Sequence, residues 1–336
     1  MSGGVDSSLA AYLLKEQGHQ VTGFTLKLTA THQEQVEAAQ RVAKKIGIPH
    51  QIVDITDIFE RDIIIPFARE YSLGRTPNPC VRCNQFIKFG LLLDKVLNLG
   101  FDKLATGHYA RIAHDERGYH MLKGVDPLKD QSYFLYSLRQ RELERIIFPL
   151  GEMGKNDVRT LARQLGLPSN THESQDICFL PNDDYTLLVS SLFPPEPGDI
   201  VDARGHILGK HKGLIYYTIG QRRHLGVCVG EPLYVLRLDS KNNCLIVGPL
   251  DGLDTNVVCI GQLSWVLGEF PIDTYGITAR PRYRAKEARI KEMRREGLTS
   301  AIVLFDEKQR ALAPGQSLVF YEGEEVIGGG IIEETF

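Results

Sequence analysis

Apolar positions in the first half of the chain follow two alternating periods. Leu9, Tyr12 and Leu13 share one helical face in a segment that stops at Gly18. "VTGFTL" (21–26) then reads as a strand. "HQEQVEAAQRVAKKIG" (32–47) puts Val36, Ala39, Ala43 and Ile46 on one face, with Gly47 as the stop. "HQIVDI" (50–55) reads as a strand and "NQFIKFGLLLDKVLNLG" (84–100) as a helix. "DKLATGHYA" (102–110) is a strand running into a loop, and "NDVRTLARQLG" (156–166) is a further helix. Strands alternating with helices predict βαβ units and a parallel sheet. Near residue 180 the texture changes. "FPPEPGDIVDARGHILGKHKGLIYYTIGQRRHLG" (193–226) is rich in Pro and Gly, and from about 245 short β-runs alternate with turns, as in "VVCIGQLSWV" and "LTSAIVLF". The pattern predicts an α/β fold with a doubly wound parallel sheet, followed by a small central domain and a C-terminal β-barrel. The expected divisions are 1–180, 181–248 and 249–336.

Composition narrows the class. The 336 residues are 43% hydrophobic and 24% charged, ordinary values for globular domains. No apolar run approaches the roughly 20 residues that cross a bilayer. No secretory leader is expected, since residues 1–8 are polar and carry only Asp6 as a charge. A cytoplasmic protein with no membrane partner is expected. The net charge of −3 does not announce a nucleic-acid partner, so one would need a local basic patch. Of six cysteines only Cys80 and Cys83 lie close together; Cys228, Cys244 and Cys259 sit in apolar strand-like surroundings and read as buried, inert thiols.

The opening "SGGVDS" (2–7) supplies two residues without Cβ, two hydroxyls and a carboxylate at a helix N-terminus. Bare backbone N–H groups and the helix dipole favour an anion there. The loop fits neither the Walker pattern nor G-x-G-x-x-G. From the glycines alone, a helix capped by Asp6 or Ser7 is an equal alternative.

"GRTPNPCVRCNQFIKFG" carries Cys80 and Cys83 on a Pro-stiffened loop entering a helix, where the dipole favours thiolate at Cys83. Cys178 follows much later in "ESQDICFL". A structural zinc site wants four ligands, and no second C-x-x-C exists.

"SGGVDS" resembles the pyrophosphate loop of the PP-loop ATP pyrophosphatases. In combination with "TPNPCVRCNQFIKFG", "ATGHYAR", "KDQSYFLY", "DICFL", "GQRRHLGV" and "PGQSLVFY…GGGIIE", the chain closely resembles the tRNA-specific 2-thiouridylases from Ser2 to Glu333. The resemblance implies an adenine nucleotide α-hydrolase-like first domain, ATP and Mg2+ as cofactors, and thiolation of the wobble uridine in a tRNA anticodon loop. It implies a sulfur donor protein, such as a cysteine desulfurase or a sulfur relay. Ser2, Gly3, Gly4, Val5, Asp6 and Ser7 would bind ATP, with Leu26 and Gly107 on the adenine-ribose side. Asn78, Pro79 and Cys80 would contact the target base. Cys83 matches the nucleophile and Cys178 the persulfide carrier. Lys129, Asp130, Gln131, Arg282 and Tyr283 would touch tRNA, and His108 and Gln316 match positions that matter for its binding.

The residue types suit that chemistry. A uridine carbonyl is a poor electrophile, so ATP turns its 2-oxygen into a leaving group; a persulfide on Cys178 then delivers sulfur and Cys83 resolves it through a disulfide. Many members of this family carry aspartate where this chain has Cys80. Cys80, Cys83 and Cys178 therefore suggest a 4Fe–4S cluster on three thiolates, with a persulfide relay beside a spare Cys80 thiol as the other reading.

"RPRYRAKEARIKEMRR" (280–295) has eight Lys/Arg against two Glu and includes Tyr283, a basic track for phosphates in an otherwise acidic chain. Two other function classes stay open: a PP-loop amide or guanidino ligase acting on a small metabolite, and an inactive RNA-binding or sulfur-carrier protein. Relatives carry a short apolar strand before the loop, so a start at an internal Met that removes the first core strand is expected, with lower stability and weaker ATP affinity.

Overall fold

The structure is a computed structural model that describes residues 1–168, 177–180, 184–227 and 229–336. Helix α1 (Val5–Glu16) follows the two glycines directly and buries Leu9, Ala10, Ala11 and Leu14. Strand β1 (Gly23–Lys27) leads to helix α2 (Gln33–Ile46), which buries Val36, Ala39, Val42, Ala43 and Ile46 as its 3.6-residue pattern predicts. Strand β2 (His50–Asp54) pairs parallel to β1, Gly23 opposite His50 and Lys27 opposite Asp54. Further on come β3 (Leu104–Ala105), a hairpin of β4 (Ala110–Asp115) and β5 (Gly118–Lys123), and β6 (Ile146–Ile147). β3 and β6 form a second parallel pair. Phe24, Val53, Leu104 and Ile146 enter one apolar core, so both pairs belong to one α/β unit. The chain start runs beside β1, where Thr25 Oγ1 donates to the Met1 carbonyl at 2.7 Å.

Two long helices cradle the cysteine loop. Residues 56–72 form one helix with a π-wound stretch at Glu60–Ile64. Pro66 has no N–H for the Asp62 carbonyl four residues back. Arg82 fills the vacancy, its Nε donating to the Asp62 carbonyl at 2.6 Å. Residues 79–98 form the second helix. Pro79 sits at its first position and the Asn78 side chain accepts from the Cys80 N–H at 3.1 Å, a capped start. Cys83–Leu92 is π-wound. Such winding is rare in helix interiors and recurs at functional sites. Gly90 allows it: a Cβ there would lie 2.9 Å from the Gln85 carbonyl oxygen five residues back.

β7 (Gly198–Val201), β8 (Ile207–His211), β9 (Tyr234–Asp239) and β10 (Cys244–Gly248) make a four-stranded sheet in the order β8-β7-β10-β9. Ile200, Val235, Leu245 and Val247 form its core. The last third holds β11 (Asp254–Trp265), β12 (Ile277–Arg280), β13 (Ala288–Arg295), β14 (Ala301–Arg310), β15 (Ser317–Glu322) and β16 (Glu325–Thr335). Their order is β11-β14-β13-β12-β15-β16, and β16 pairs back onto β11, closing a six-stranded barrel. Closure removes the sheet edges. The α/β unit, central sheet and barrel agree with the fold read from the sequence.

Three findings differ from the sequence reading. The β4–β5 hairpin extends the barrel's sheet: β16 pairs with β5 through Glu325–Leu122 and Val326–Met121. Helix 56–72 was absent from the pattern because Pro66 reads as a break. Cys244 and Cys259 are only half-buried rather than enclosed. Cys259 alternates with the buried Val258 and Ile260 on β11, so the two-residue period of a strand turns it outward. Cys228 lies outside the described residues. Among the described residues no helix is long and apolar enough to cross a membrane.

Candidate active site

The opening loop is held from several sides. The Ser2 N–H donates to Ser7 Oγ at 3.1 Å, and the Ser7 and Ser8 hydroxyls donate to the Gly4 carbonyl at 3.2 and 2.7 Å. Gly107 backs directly onto the first turn of α1, where a Cβ would sit 2.7 Å from the Asp6 carbonyl carbon. No side chain caps α1. The N–H groups of Val5, Asp6 and Ser7 therefore point from a positive helix end with no protein acceptor among the described residues. Leu26 lies near the C-terminal end of β1, the side on which open α/β sheets bind ligands. Asp6 is not an idle carboxylate: Lys155 Nζ and the Tyr109 hydroxyl both donate to it, at 2.6 and 2.7 Å.

The thiols gather around a different lysine. Cys83 is buried, Cys80 half-buried and Cys178 exposed. Burial pushes the Cys83 thiol up to about 12; Lys88 opposes this, while Cys178 and Cys80 add to it. Cys178 is open to solvent at its surface, yet the protein walling its sulfur also raises its pKa, again against Lys88. His108 is held neutral, well below the usual histidine range, by burial and then by Lys88. The α-amine of Met1 falls to about 5 for the same two reasons. One half-buried cation thus acts on both distant cysteines, on His108 and on the start of the phosphate loop. Lys88 follows Cys83 by five residues within the π-wound stretch, and Phe89 beside it touches the His108 ring at 5.7 Å. His32, just after β1, reaches Cys178 from another direction: burial lowers its pKa, partly offset by a hydrogen bond with the Cys178 backbone.

A 4Fe–4S cluster needs three thiolates converging on one volume. Among the described residues, Cys80, Cys83 and Cys178 form no group placed to hold a metal ion. Cys83 packs instead in the apolar core with Val81 and Ile87. The donor set does not fit the cluster expected from three cysteines.

The residues expected on the RNA side fall into several settings. Asn78 is the helix cap and Pro79 is buried. Asp130 is 4% exposed and accepts from the Gly124 and Ser132 N–H groups and from Arg280 of the barrel. Gln131 accepts from the Tyr109 N–H. Lys129 is half-buried, its N–H donating to the Asp126 carbonyl at 3.0 Å. Arg282 is exposed between β12 and β13. Tyr283 packs on Phe134 at 4.4 Å, and the Phe134 carbonyl accepts from Asn84, next to Cys83. His108 bonds Thr106 Oγ1 at 2.7 Å between Phe89 and Phe148. Gln316 donates to the Thr76 carbonyl at 2.8 Å. Arg280, the first cation of the basic run, is spent on Asp130 and Glu287; Arg282, Arg284, Lys286, Arg289 and Lys291 are exposed. Lys88, Asn84, Tyr109 and Lys155 were missed in the sequence. Lys88 and Asn84 had a local signal, their place inside the C-x-x-C helix.

A parallel α/β unit with a bare helix N-terminus behind a glycine loop is the arrangement of HUP-type nucleotide-binding domains, and the profile described as tRNA methyl transferase HUP domain matches residues 1–182. Residues 188–249 match the tRNA methyl transferase PRC-barrel domain and 256–332 the aminomethyltransferase beta-barrel domain. Within that class the chain belongs to the tRNA-specific 2-thiouridylase family. It is 44% identical to the tRNA-specific 2-thiouridylase MnmA of Dehalococcoides mccartyi, over 99% of this chain and 95% of the relative. It is also 44% identical to that of Halothermothrix orenii, over 100% and 98%. Against MnmA 2 of a Thermoanaerobacter species the identity is 45%, over 99% and 96%.

Proposed function

We propose that this protein is an ATP-dependent tRNA-uridine 2-sulfurtransferase that converts the wobble uridine to 2-thiouridine in the cytoplasm, releasing AMP and pyrophosphate. The observation that carries this reading is the bare N-terminus of α1 behind the Gly3–Gly4 loop, in a chain 44% identical along nearly its whole length to a tRNA-specific 2-thiouridylase. Residues 1–180 do the chemistry, while 181–248 and 249–336 grip the RNA.

The N–H groups of Val5, Asp6 and Ser7 and the hydroxyls of Ser2 and Ser7 hold the leaving pyrophosphate, with Gly3 and Gly4 letting the backbone approach. Leu26 and Gly107 face the nucleoside. Asp6 is the carboxylate of the loop that would hold Mg2+ brought in on the triphosphate, where the ion would supply neutralisation of phosphate charge. A base flipped from the anticodon loop meets Asn78, Pro79 and Cys80. Cys178, exposed, accepts sulfur from a donor protein such as a cysteine desulfurase or a relay carrier. Its terminal sulfur attacks C2 of the adenylated uridine and AMP leaves. Cys83 then attacks Cys178 Sγ, which breaks the S–S bond, frees 2-thiouridine and leaves a Cys83–Cys178 disulfide for a thiol reductant. Lys88 offsets the burial that keeps Cys83 protonated. Lys129, Arg282 and Tyr283 contact tRNA directly. Asp130 and Gln131 shape that surface, His108 acts through Phe89, and Gln316 through Thr76.

Mass analysis of tRNA nucleosides tests this after incubation with protein, ATP, Mg2+ and a persulfide donor. The expected product is 2-thiouridine with one AMP per sulfur, lost in C83S and C178S, both of which still bind ATP. AMP formation driven by a small amine, with unmodified tRNA, would establish the ligase class instead.

A further inference from the structure

At the seam between the α/β unit and the barrel lies a cavity of about 390 Å³ that shares no residue with the phosphate loop or the cysteine loop. Trp265, the last residue of β11, and Phe270 just beyond it form an aromatic wall. Their rings meet edge to face at 5.2 Å, and the indole stacks on Phe320 of β15 at 5.6 Å. Phe320 is fully buried and Trp265 is 8% exposed, so the barrel core fixes this wall in place. Two arginines line the same cavity from different parts of the molecule. Arg139 immediately precedes the helix Gln140–Leu143 of the α/β unit, and Arg295 ends β13 of the barrel. The Arg295 guanidinium carbon lies 5.9 Å from the centre of the Phe270 ring.

Both arginines are exposed, and their side chains donate to neutral oxygens. Arg139 Nε donates to Ser264 Oγ at 3.3 Å, and Arg295 Nε donates to the Gly297 carbonyl at 2.8 Å. Among the described residues neither forms an ion pair, whereas the adjacent Arg294 is matched by Glu296 at 3.2 Å. These bonds hold the guanidinium groups in position and leave their charge unmatched. Glu269 is the one carboxylate in the lining, so the cavity keeps a positive excess. An inorganic anion would be served by the arginines alone and gains nothing from an indole and a phenyl ring. An apolar ligand gains nothing from two cations. The combination suits a planar base that carries a phosphate: guanidinium forks onto phosphate oxygens, and aromatic side chains hold unstacked bases. The volume falls in the range of small-molecule sites. Arg295 also closes the basic run 280–295, whose exposed Arg289 and Lys291 share its strand. A phosphate backbone tracked along β13 therefore reaches this cavity.

We propose that this cavity is a second nucleotide-binding site, separate from the ATP loop. It holds a base against Trp265 and Phe270 and the attached phosphate on Arg139 and Arg295. The same chemistry has two sources: a free nucleoside monophosphate, or one nucleotide of the RNA outside the position that is thiolated. The second source rests on the reading of tRNA as the substrate; the first does not.

Trp265 is the only tryptophan of the chain, so its fluorescence reports on this cavity directly. The full-length protein is titrated with AMP, GMP, CMP and UMP and, separately, with unmodified tRNA; filter binding of the same tRNA runs in parallel. A saturable change in Trp265 emission is expected. In R139Q and R295Q its midpoint is expected to move to about 10- to 100-fold higher ligand concentration, the range for a charge-assisted hydrogen bond, with ATP affinity unchanged. A response to the monophosphates assigns the site to a free nucleotide, and a response to tRNA alone assigns it to a nucleotide of the RNA. Emission that neither ligand alters, or a response that R139Q and R295Q both retain in full, overturns the site. Monophosphate binding at Trp265 in a protein that retains no tRNA on the filter would support the cavity and remove tRNA as the substrate.

Discussion

Cys83 and Cys178 carry the same functional group in opposite surroundings. Cys83 packs among Val81, Ile87 and Phe89, and burial lifts its thiol to about 12. Cys178 is exposed and Lys88 works against the rise in its pKa. The folded state thus keeps the Cys83 proton in the alkaline range where an unfolded chain, with a value near 9, loses it. Its contribution to stability is full below that value and disappears as the pH climbs toward about 12. Limiting iodoacetamide at about pH 8 is expected to label Cys178 well ahead of Cys83, since only thiolate reacts; peptide mass mapping that found Cys83 labelled first would contradict this. The cysteines were legible because their spacing and the motifs around them are distinctive. Lys88 and Lys155 were not, because a lysine in a helical run reads as a solvated face. What sets them apart is the residues opposite them, which come from other elements.

At the scale of elements, the periodic segments were the readable ones. α2 and the helix over 79–98 follow their apolar stripes closely. The hairpin of β4 and β5 escaped because its partner strand is β16, far along the chain, and a pairing at that distance leaves no local mark. Its junction carries a charge device. His120 on β5 lies 2.8 Å from Asp115 Oδ1 and 2.6 Å from Glu325 Oε1 of β16. Burial works against protonation there, but the hydrogen bonds that the ring donates to Glu325 and then Asp115 prevail and the pKa is raised. A raised value means that the stabilisation is complete below the ordinary histidine pKa of 6.5 and is lost as the pH rises through the folded value. Thermal melts of the protein and H120Q are therefore expected to differ most below the ordinary histidine pKa of 6.5 and to converge as the pH rises past the raised folded value. A constant gap would show that His120 contributes packing alone.

Across the whole molecule, the stem of the cysteine loop is gripped by both downstream units. Gly74 lies against Leu238 of β9. Arg75 pairs with Glu70 and, across to the barrel, with Glu333 at 2.9 Å. The Thr76 N–H donates to the Pro314 carbonyl at 2.8 Å, and its own carbonyl accepts from Gln316 at 2.8 Å. Gly315 has φ +93, and a Cβ there would come within 2.9 Å of the Thr76 backbone nitrogen. G315A combines left-handed strain with a backbone clash, a cost of about 1–3 kcal/mol. Its expected signature is loss of tRNA thiolation with ATP affinity retained, measured by nucleoside analysis beside calorimetry. Loss of both together would mean that the clamp supports the whole fold rather than the loop.

The strand exchange between β5 and β16 also bears on how the chain is made. A ribosome releases residues 118–123 long before Glu325 and Val326 exist to pair with them. Until then β5 presents an open edge, the kind of surface that recruits foreign strands. The nascent α/β unit therefore matures only when the barrel closes on it. At high concentration during refolding, β16 of one copy competes for the waiting hairpin of another, so the yield of monomer falls as protein concentration rises.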